Sequence, residues 1–183
     1  MTERHYVNEF FRLRCASDLL AKKLFPNAKE MTESMGAFAA VQRHIVKPLG
    51  LDLGDRNIGL YVVGDGHTPR TAALFAMRSA WECYSIDPVL REKIWDINRL
   101  HAYIAKIENC SLLHAQDFDR VIIVMVHSHA KIEDTLQAIQ NKNRSLVTIP
   151  CCVKHEVAGL PYIGYQDDGI WSPQNTVKVW TEI

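Results

Sequence analysis

The stretch from Tyr61 to Pro88, YVVGDGHTPRTAALFAMRSAWECYSIDP, constrains this chain more than any other. An apolar run ending at Val63 gives way to Gly64-Asp65-Gly66, Thr68-Pro69 opens a helical pattern, and a second strand-like run, Trp81 to Ile86, ends in Asp87. This is the order of a nucleotide-binding βαβ unit. Glycines let the backbone turn tightly and approach a ligand closely. The helix start offers free N–H groups, and the second strand delivers a carboxylate about twenty residues on, in position to hold ribose hydroxyls. The pattern points to a cofactor containing adenosine.

The 183 residues fit one domain with a short extension, and an apolar fraction of 48% fits a globular core. With histidine neutral the net charge is zero, which disfavours a strongly electrostatic partner such as a long nucleic acid or a membrane surface. No apolar run approaches the roughly 20 residues needed to span a bilayer. The polar N-terminus is unlike a secretory signal, and five scattered cysteines suit reduced thiols in the cytoplasm.

Helical spacing of Phe10, Leu13 and Leu20 predicts a helix over 3–24, ended by Pro26. A second helix is expected from Thr32 to Val46, stopped by Pro48-Leu49-Gly50. Strand one is predicted over 59–63, then a helix over 68–78 with Thr68 as N-cap and Pro69 in its first position. Strand two covers 81–86, a helix capped by Asp87 covers 88–100, and strand three covers 103–107. The run RVIIVMV, Arg120 to Val126, is β-branched and continuously apolar, as a strand covered on both faces should be. A helix over 132–141 and a strand over 145–149 follow. Tyr162–Tyr165 and Val177–Trp180 have no helix between them and should pair as an antiparallel hairpin at the sheet edge. The expected class is α/β: a Rossmann-like, doubly wound, mostly parallel sheet closed by that hairpin, over 57–183, preceded by an N-terminal helical extension over 1–56.

Dinucleotide sites want a third glycine for close packing around a pyrophosphate, and Thr68 or Pro69 stands there instead. A cofactor without a pyrophosphate has looser needs, and S-adenosyl-L-methionine is one. Arg70 suits a carboxylate such as that of the cofactor's methionine moiety; a cation in a first helical turn opposes the helix dipole, so the residue is either partnered or solvated. His127-Ser128-His129 follows strand four at the carboxyl edge of the sheet, facing the same crevice as Gly64 and Asp87; one of the two histidines is a candidate general base. Glu108-Asn109, expected at the end of strand three, offers an acid or amide to an adenine amino group. Cys151-Cys152 is too closely spaced for an ordinary zinc pair and reads as small apolar filling at the sheet end; the alternatives are zinc held by Cys151, Cys152, His155, His127 or His129, and a Cys152 nucleophile beside a histidine.

With these residues in view, the chain resembles the Rossmann-like (class I) S-adenosylmethionine-dependent methyltransferases over about residues 57–183. The resemblance rests on VVGDG (Val62–Gly66), the acid Asp87, the closing antiparallel pair, and the VHSHA and IPCC segments (Val126–Ala130, Ile149–Cys152). It implies methyl transfer to an unidentified small-molecule or macromolecular acceptor. Gly64, Asp65 and Gly66 would line the methionine end of the cofactor, Asp87 would hold the ribose, Glu108 or Asn109 would lie near the adenine, and His127 and His129 would be nearest the transferred methyl. Departures are Val62 where the family often has an acid, the missing third glycine, and His-Ser-His in place of an Asn/Asp-Pro-Pro-aromatic motif. Two other classes fit the same residues: a non-catalytic interaction module, with the N-terminal helices as a partner or homo-oligomer surface, and a metal-dependent hydrolase with Asp65, Asp87, His127 and His129 as ligands. Acceptor recognition would fall to the N-terminal helices, to 109–119, and to the connector carrying Asp167, Asp168 and Trp171.

Overall fold

A computed structural model describes residues 5–183, so the first two residues of the helix expected over 3–24 lie outside it. Seven strands form one sheet: β1 (Ile58–Val63), β2 (Glu82–Ile86), β3 (Leu100–Tyr103), β4 (Arg120–Val126), β5 (Arg144–Ile149), β6 (Ile163–Gln166) and β7 (Thr176–Trp180). Their order is β3-β2-β1-β4-β5-β7-β6. The first five are parallel neighbours, and β7 runs antiparallel to both β5 and β6. The last two strands form the expected antiparallel hairpin at the sheet edge, with the later strand, β7, inserted between β5 and β6. β1, β4 and β5 are almost wholly buried, as continuous apolar runs demand.

Alternate residues of these strands feed two cores. Leu60, Val62, Ile122, Val124 and Val147 face the side covered by α1 (Tyr6–Phe11), α2 (Ala16–Ala21), α3 (Ala28–Val41) and α5 (Arg70–Ala76). Tyr61, Val63, Ile123, Met125 and Leu146 face the side covered by α6 (Ile132–Ala138) and two short 3-10 turns, Ile107–Asn109 and Leu113–Asp117. The N-terminal segment therefore shares its hydrophobic core with the sheet. Tyr6, Phe10, Leu19 and Leu24 are all completely buried, leaving Phe11 and Leu20 as the exposed large apolar residues of α1 and α2. No helix among the described residues is long and apolar enough to cross a membrane.

Several expected helices differ. The first is two, broken at Arg12–Cys15. The break lets the chain fold back so that the Phe10 and Phe25 rings meet edge to face at 5.3 Å, whereas a straight helix would hold them about 22 Å apart. The second starts earlier, where the Asn27 side chain accepts from the Glu30 amide. It then runs through a π-helical turn, Gln42–Val46, into α4 (Lys47–Leu49). Pro48 is tolerated in the first turn of α4, and Gly50, at φ 63°, makes the stop.

No helix forms over 88–100. Its buried apolar residues, Leu90 and Trp95, are five apart, while Ile94 is 90% exposed, so no helical stripe exists. Asp96 and Arg99 take left-handed φ values of 36° and 62°. The Arg99 guanidinium instead donates to the carbonyls of Ala76 and Ser79 at the end of α5. Strand three moves accordingly to Leu100–Tyr103, so Glu108 and Asn109 do not end it.

Thr68 is not the N-cap of α5; its hydroxyl donates to the Leu24 carbonyl at 2.6 Å. Capping falls to Asp65, whose Oδ1 accepts from Thr71 N–H and Oδ2 from Ala72 N–H and the Ser85 hydroxyl. Asp65 is 1% exposed, so this one carboxylate joins the β1 turn, the α5 start and β2. Asp65→Ala removes the cap and strands buried donors. It should lower unfolding stability by about 2–4 kcal/mol, read as a shift of the urea midpoint at unchanged slope; a loss under about 1 kcal/mol would contradict this role.

Candidate functional site

Both glycines of the turn take positive φ, 83° at Gly64 and 81° at Gly66, a conformation glycine adopts without steric cost. Each also has a protein neighbour where a Cβ would stand. A Cβ on Gly64 would lie 2.6 Å from Ser128 Cβ and 2.9 Å from Ser128 Cα, and one on Gly66 would lie 2.7 Å from an Arg70 terminal nitrogen. The turn is thus packed from two sides, by the loop after β4 and by α5.

The amides expected to be free at the helix start are taken by Asp65, and burial pushes the carboxyl of Asp65 up from its ordinary range. Its side chain is a buried cap of α5. Arg70 is partnered within the protein: Nε lies 3.0 Å from Glu30 Oε2 of α3, and a terminal N–H donates to the Asp65 carbonyl. A guanidinium has five N–H donors, so donors remain.

Asp87 closes the turn from the other side. Its Oδ2 accepts from Gly66 N–H at 2.8 Å and its Oδ1 from Val89 N–H at 2.9 Å. It is 8% exposed. The carboxylate therefore points at the glycine turn, and each oxygen keeps a lone pair beyond the bond described. It caps a local turn over Pro88-Val89 and no helix.

The loops after β4 and β5 lie side by side, because Val126 pairs with Ile149 and His127 N–H donates to the Ile149 carbonyl. His127 has φ 49°, a left-handed conformation outside glycine, of the kind that collects at functional sites. Its Nε2 lies 3.0 Å from Oε1 of Glu33 on α3. Glu33 is 2% exposed, and Lys29 Nζ stands 3.7 Å from the same oxygen. Burial works against both charges, and the pairing overrides it: Glu33 is held below its ordinary range and His127 above its own.

His129 and the two cysteines form a second group. Cys152 Sγ lies 3.4 Å from His129 Nε2 and 3.6 Å from Cys151 Sγ, and Cys151 Sγ donates to the His127 carbonyl. All five cysteines are free thiols; Cys152 is exposed and Cys151 half-buried, so neither fills a core. Burial pushes the Cys151 thiol up, but hydrogen bonding from the Cys152 main chain and thiol and from His129 more than offsets this and brings it to about 7. Among the described residues, these three form the cluster that could hold a metal ion. The quartet Asp65, Asp87, His127 and His129 does not assemble, which removes the ligand set of a metal-dependent hydrolase.

Glu108 and Asn109 sit in a 3-10 turn beyond β3. Glu108 lines a cavity of about 280 Å³ together with Leu112, Asp134 and Gln137. What sequence reasoning missed is the share of α3: Glu30 and Glu33 reach Arg70 and His127 from the preceding segment. The one signal was local. Both glutamates occupy the capped first turns of a helix whose remaining buried residues are mostly apolar.

No protein-family model matches the chain, and no curated protein matches its sequence. Among solved structures, a mutant of MtNAS matches with TM-score 0.53 at 10% identity, covering 95% of this chain and 71% of that one. The same mutant in complex with S-adenosylmethionine matches with TM-score 0.52 at 11% identity over 95% and 69%. A mutant 16S rRNA (adenine(1408)-N(1))-methyltransferase from Catenulisporales acidiphilia, with cosubstrate SAM, has TM-score 0.37 at 19% identity; the match covers 52% of this chain and 56% of that chain. The fold is the class I, Rossmann-like methyltransferase fold.

The Glu33–His127 pair predicts a pH signature. Below the raised His127 value the imidazolium is present, and above the lowered Glu33 value the carboxylate is, so the pair contributes fully between about pH 5 and 6. The contribution fades as His127 deprotonates on the alkaline side and as Glu33 protonates on the acid side. Glu33→Gln should cost about 1–2 kcal/mol in that window and little at about pH 9, measured by urea unfolding at both pH values. The His127 ring resonances should titrate at lower pH in the variant; unchanged titration would refute the coupling.

Proposed function

We propose that the crevice at the carboxyl edge of β1, β2 and β4 binds S-adenosyl-L-methionine, and that the chain is an enzyme transferring the methyl group to an acceptor. The observation that carries this reading is Asp87: a nearly buried carboxylate aimed at a glycine turn, on a class I methyltransferase sheet. A structure of similar fold, the MtNAS mutant, has S-adenosylmethionine in its complex.

The residues fit such a ligand at two points. Asp87 keeps lone pairs for ribose hydroxyls, and Arg70 keeps N–H donors for a carboxylate while Glu30 holds it in place. Gly64 and Gly66 would contribute main chain alone, and Asp65 supports the turn from below. Glu108 and Asn109 remain the proposed adenine contacts. Bound there, the cofactor supplies an electrophilic methyl on a sulfonium. Methyl transfer gains most from positioning, so few catalytic side chains are required. In its neutral form His127 keeps its ring proton on Nε2, facing Glu33, and Nδ1 is then the nitrogen able to accept a proton. His129 is the second candidate. The acceptor would meet the loops after β4 and β5 and Trp171, which is 56% exposed on the connector between β6 and β7. The neutral net charge favours a small molecule or a protein over a long nucleic acid.

One observation favours a second reading, a non-catalytic module. Ser128 and Arg70 account for both glycines without any ligand. Titration calorimetry with S-adenosylmethionine and S-adenosylhomocysteine separates the two. The enzyme reading expects saturable heat at a stoichiometry of one, weakened at least about tenfold in Asp87→Ala. No heat with either ligand at millimolar concentration would end it.

A further inference from the structure

We propose that His129, Cys151 and Cys152 bind a zinc ion through Nε2 and the two Sγ atoms, leaving a fourth coordination position for an exchangeable ligand. In a tetrahedral site with Zn–S near 2.3 Å and Zn–N near 2.05 Å, the ligand atoms stand about 3.8 Å apart for S···S and about 3.6 Å for S···N. The corresponding separations here are 3.6 Å for Cys151–Cys152 and 3.4 Å for Cys152–His129. All three ligand atoms lie within 4.8 Å of one another. Two edges of the tetrahedron are therefore already drawn, and the third needs no more than a small rotation of exposed side chains.

Neighbouring cysteines are a closer pair than structural zinc sites use, and the usual objection is that their side chains diverge. Here the turn after β5 brings both sulfurs to one side. The separation also lies far from the 2.05 Å of a disulfide bond. Thiolate and imidazole together suit zinc.

The scaffold is rigid enough to hold the geometry. The two loops leave adjacent parallel strands in fixed register, and the ladder continues one step beyond them through His127 N–H to the Ile149 carbonyl. The fully buried His155 lies against the main chain of Ser128 and Ala130, which flank His129, while Lys178 Nζ donates to the His155 carbonyl. Three protein ligands with solvent at the fourth position is the pattern of exchangeable zinc sites, as opposed to closed structural ones. Cys152 and His129 are both exposed, so the ion and an anionic oxygen or sulfur donor can reach it. Binding displaces the two thiol protons to solvent, so two thiolates balance the dication.

The site can be tested without the cofactor or an activity. The full chain, kept reduced and freed of metal by dialysis, is titrated with Co²⁺. The expected result is thiolate-to-cobalt charge transfer with tetrahedral d–d bands, saturating at one ion per chain and abolished by Zn²⁺. Cys152→Ser and His129→Gln should each weaken binding at least about tenfold, and Cys110→Ser, outside the cluster, should leave it unchanged. Addition of mercaptoacetate should shift the cobalt bands by occupying the fourth position. The site is refuted by a spectrum without thiolate charge transfer, by substoichiometric binding, by wild-type affinity in Cys152→Ser, or by a Cys151–Cys152 disulfide that persists in reductant. Unshifted bands on adding mercaptoacetate would refute the exchangeable position.

Discussion

The structure turns on one buried carboxylate. Asp65 accepts from two α5 amides and from Ser85 of β2, and by doing so fixes the turn out of β1, the direction of α5 and the spacing of β1 from β2. A carboxylate almost wholly out of water is tolerable only when fully hydrogen-bonded. The same bonds occupy the amides at the helix start, while Asp87 and Arg70 hold the turn from its other side through Gly66 N–H and the Asp65 carbonyl.

This explains why the glycine motif was legible as architecture and ambiguous as chemistry. Positive φ at Gly64 and Gly66 requires glycine whether or not a ligand approaches. The close neighbours of those glycines come from residues 70 and 128, and no local pattern around residue 64 announces contact with a serine 64 positions later. The strands, by contrast, were readable to within a residue at each end, except β3, which lies at Leu100–Tyr103 and not over 103–107. β4 matched its expected bounds because a β-branched apolar run has few other stable environments. The reversal of β7 followed from the lack of a crossover helix before it.

The helices were less legible, for a physical reason that differs in each case. Over 88–100 the composition permits a helix, but tertiary demands on Leu90, Trp95 and Arg99 override it. Over 3–24 the apolar spacing is helical on both sides of a break that only the Phe10–Phe25 contact explains. Thr68 has the chemistry of a cap, yet its hydroxyl bonds to Leu24 because a better acceptor, Asp65, already serves the amides of α5. In each case the deciding contact is distant in sequence: Phe25 for Phe10, the end of α5 for Arg99, and Leu24 for Thr68.

The largest gap concerned α3. Read from sequence, residues 1–56 form an extension; in the fold, α3 is a layer of the same core. It places Glu30 and Glu33 beside Arg70 and His127, two cations that α5 and β4 bring to the crevice. Those two ion pairs make the helix a wall of the site. Without Glu30 the Arg70 guanidinium would lose its carboxylate partner, and without Glu33 burial would drive His127 toward its neutral form. A segment that looked separable is therefore tied to the crevice by electrostatics as well as by its apolar face, and the chemistry of the crevice cannot be assigned to the sheet and its loops alone.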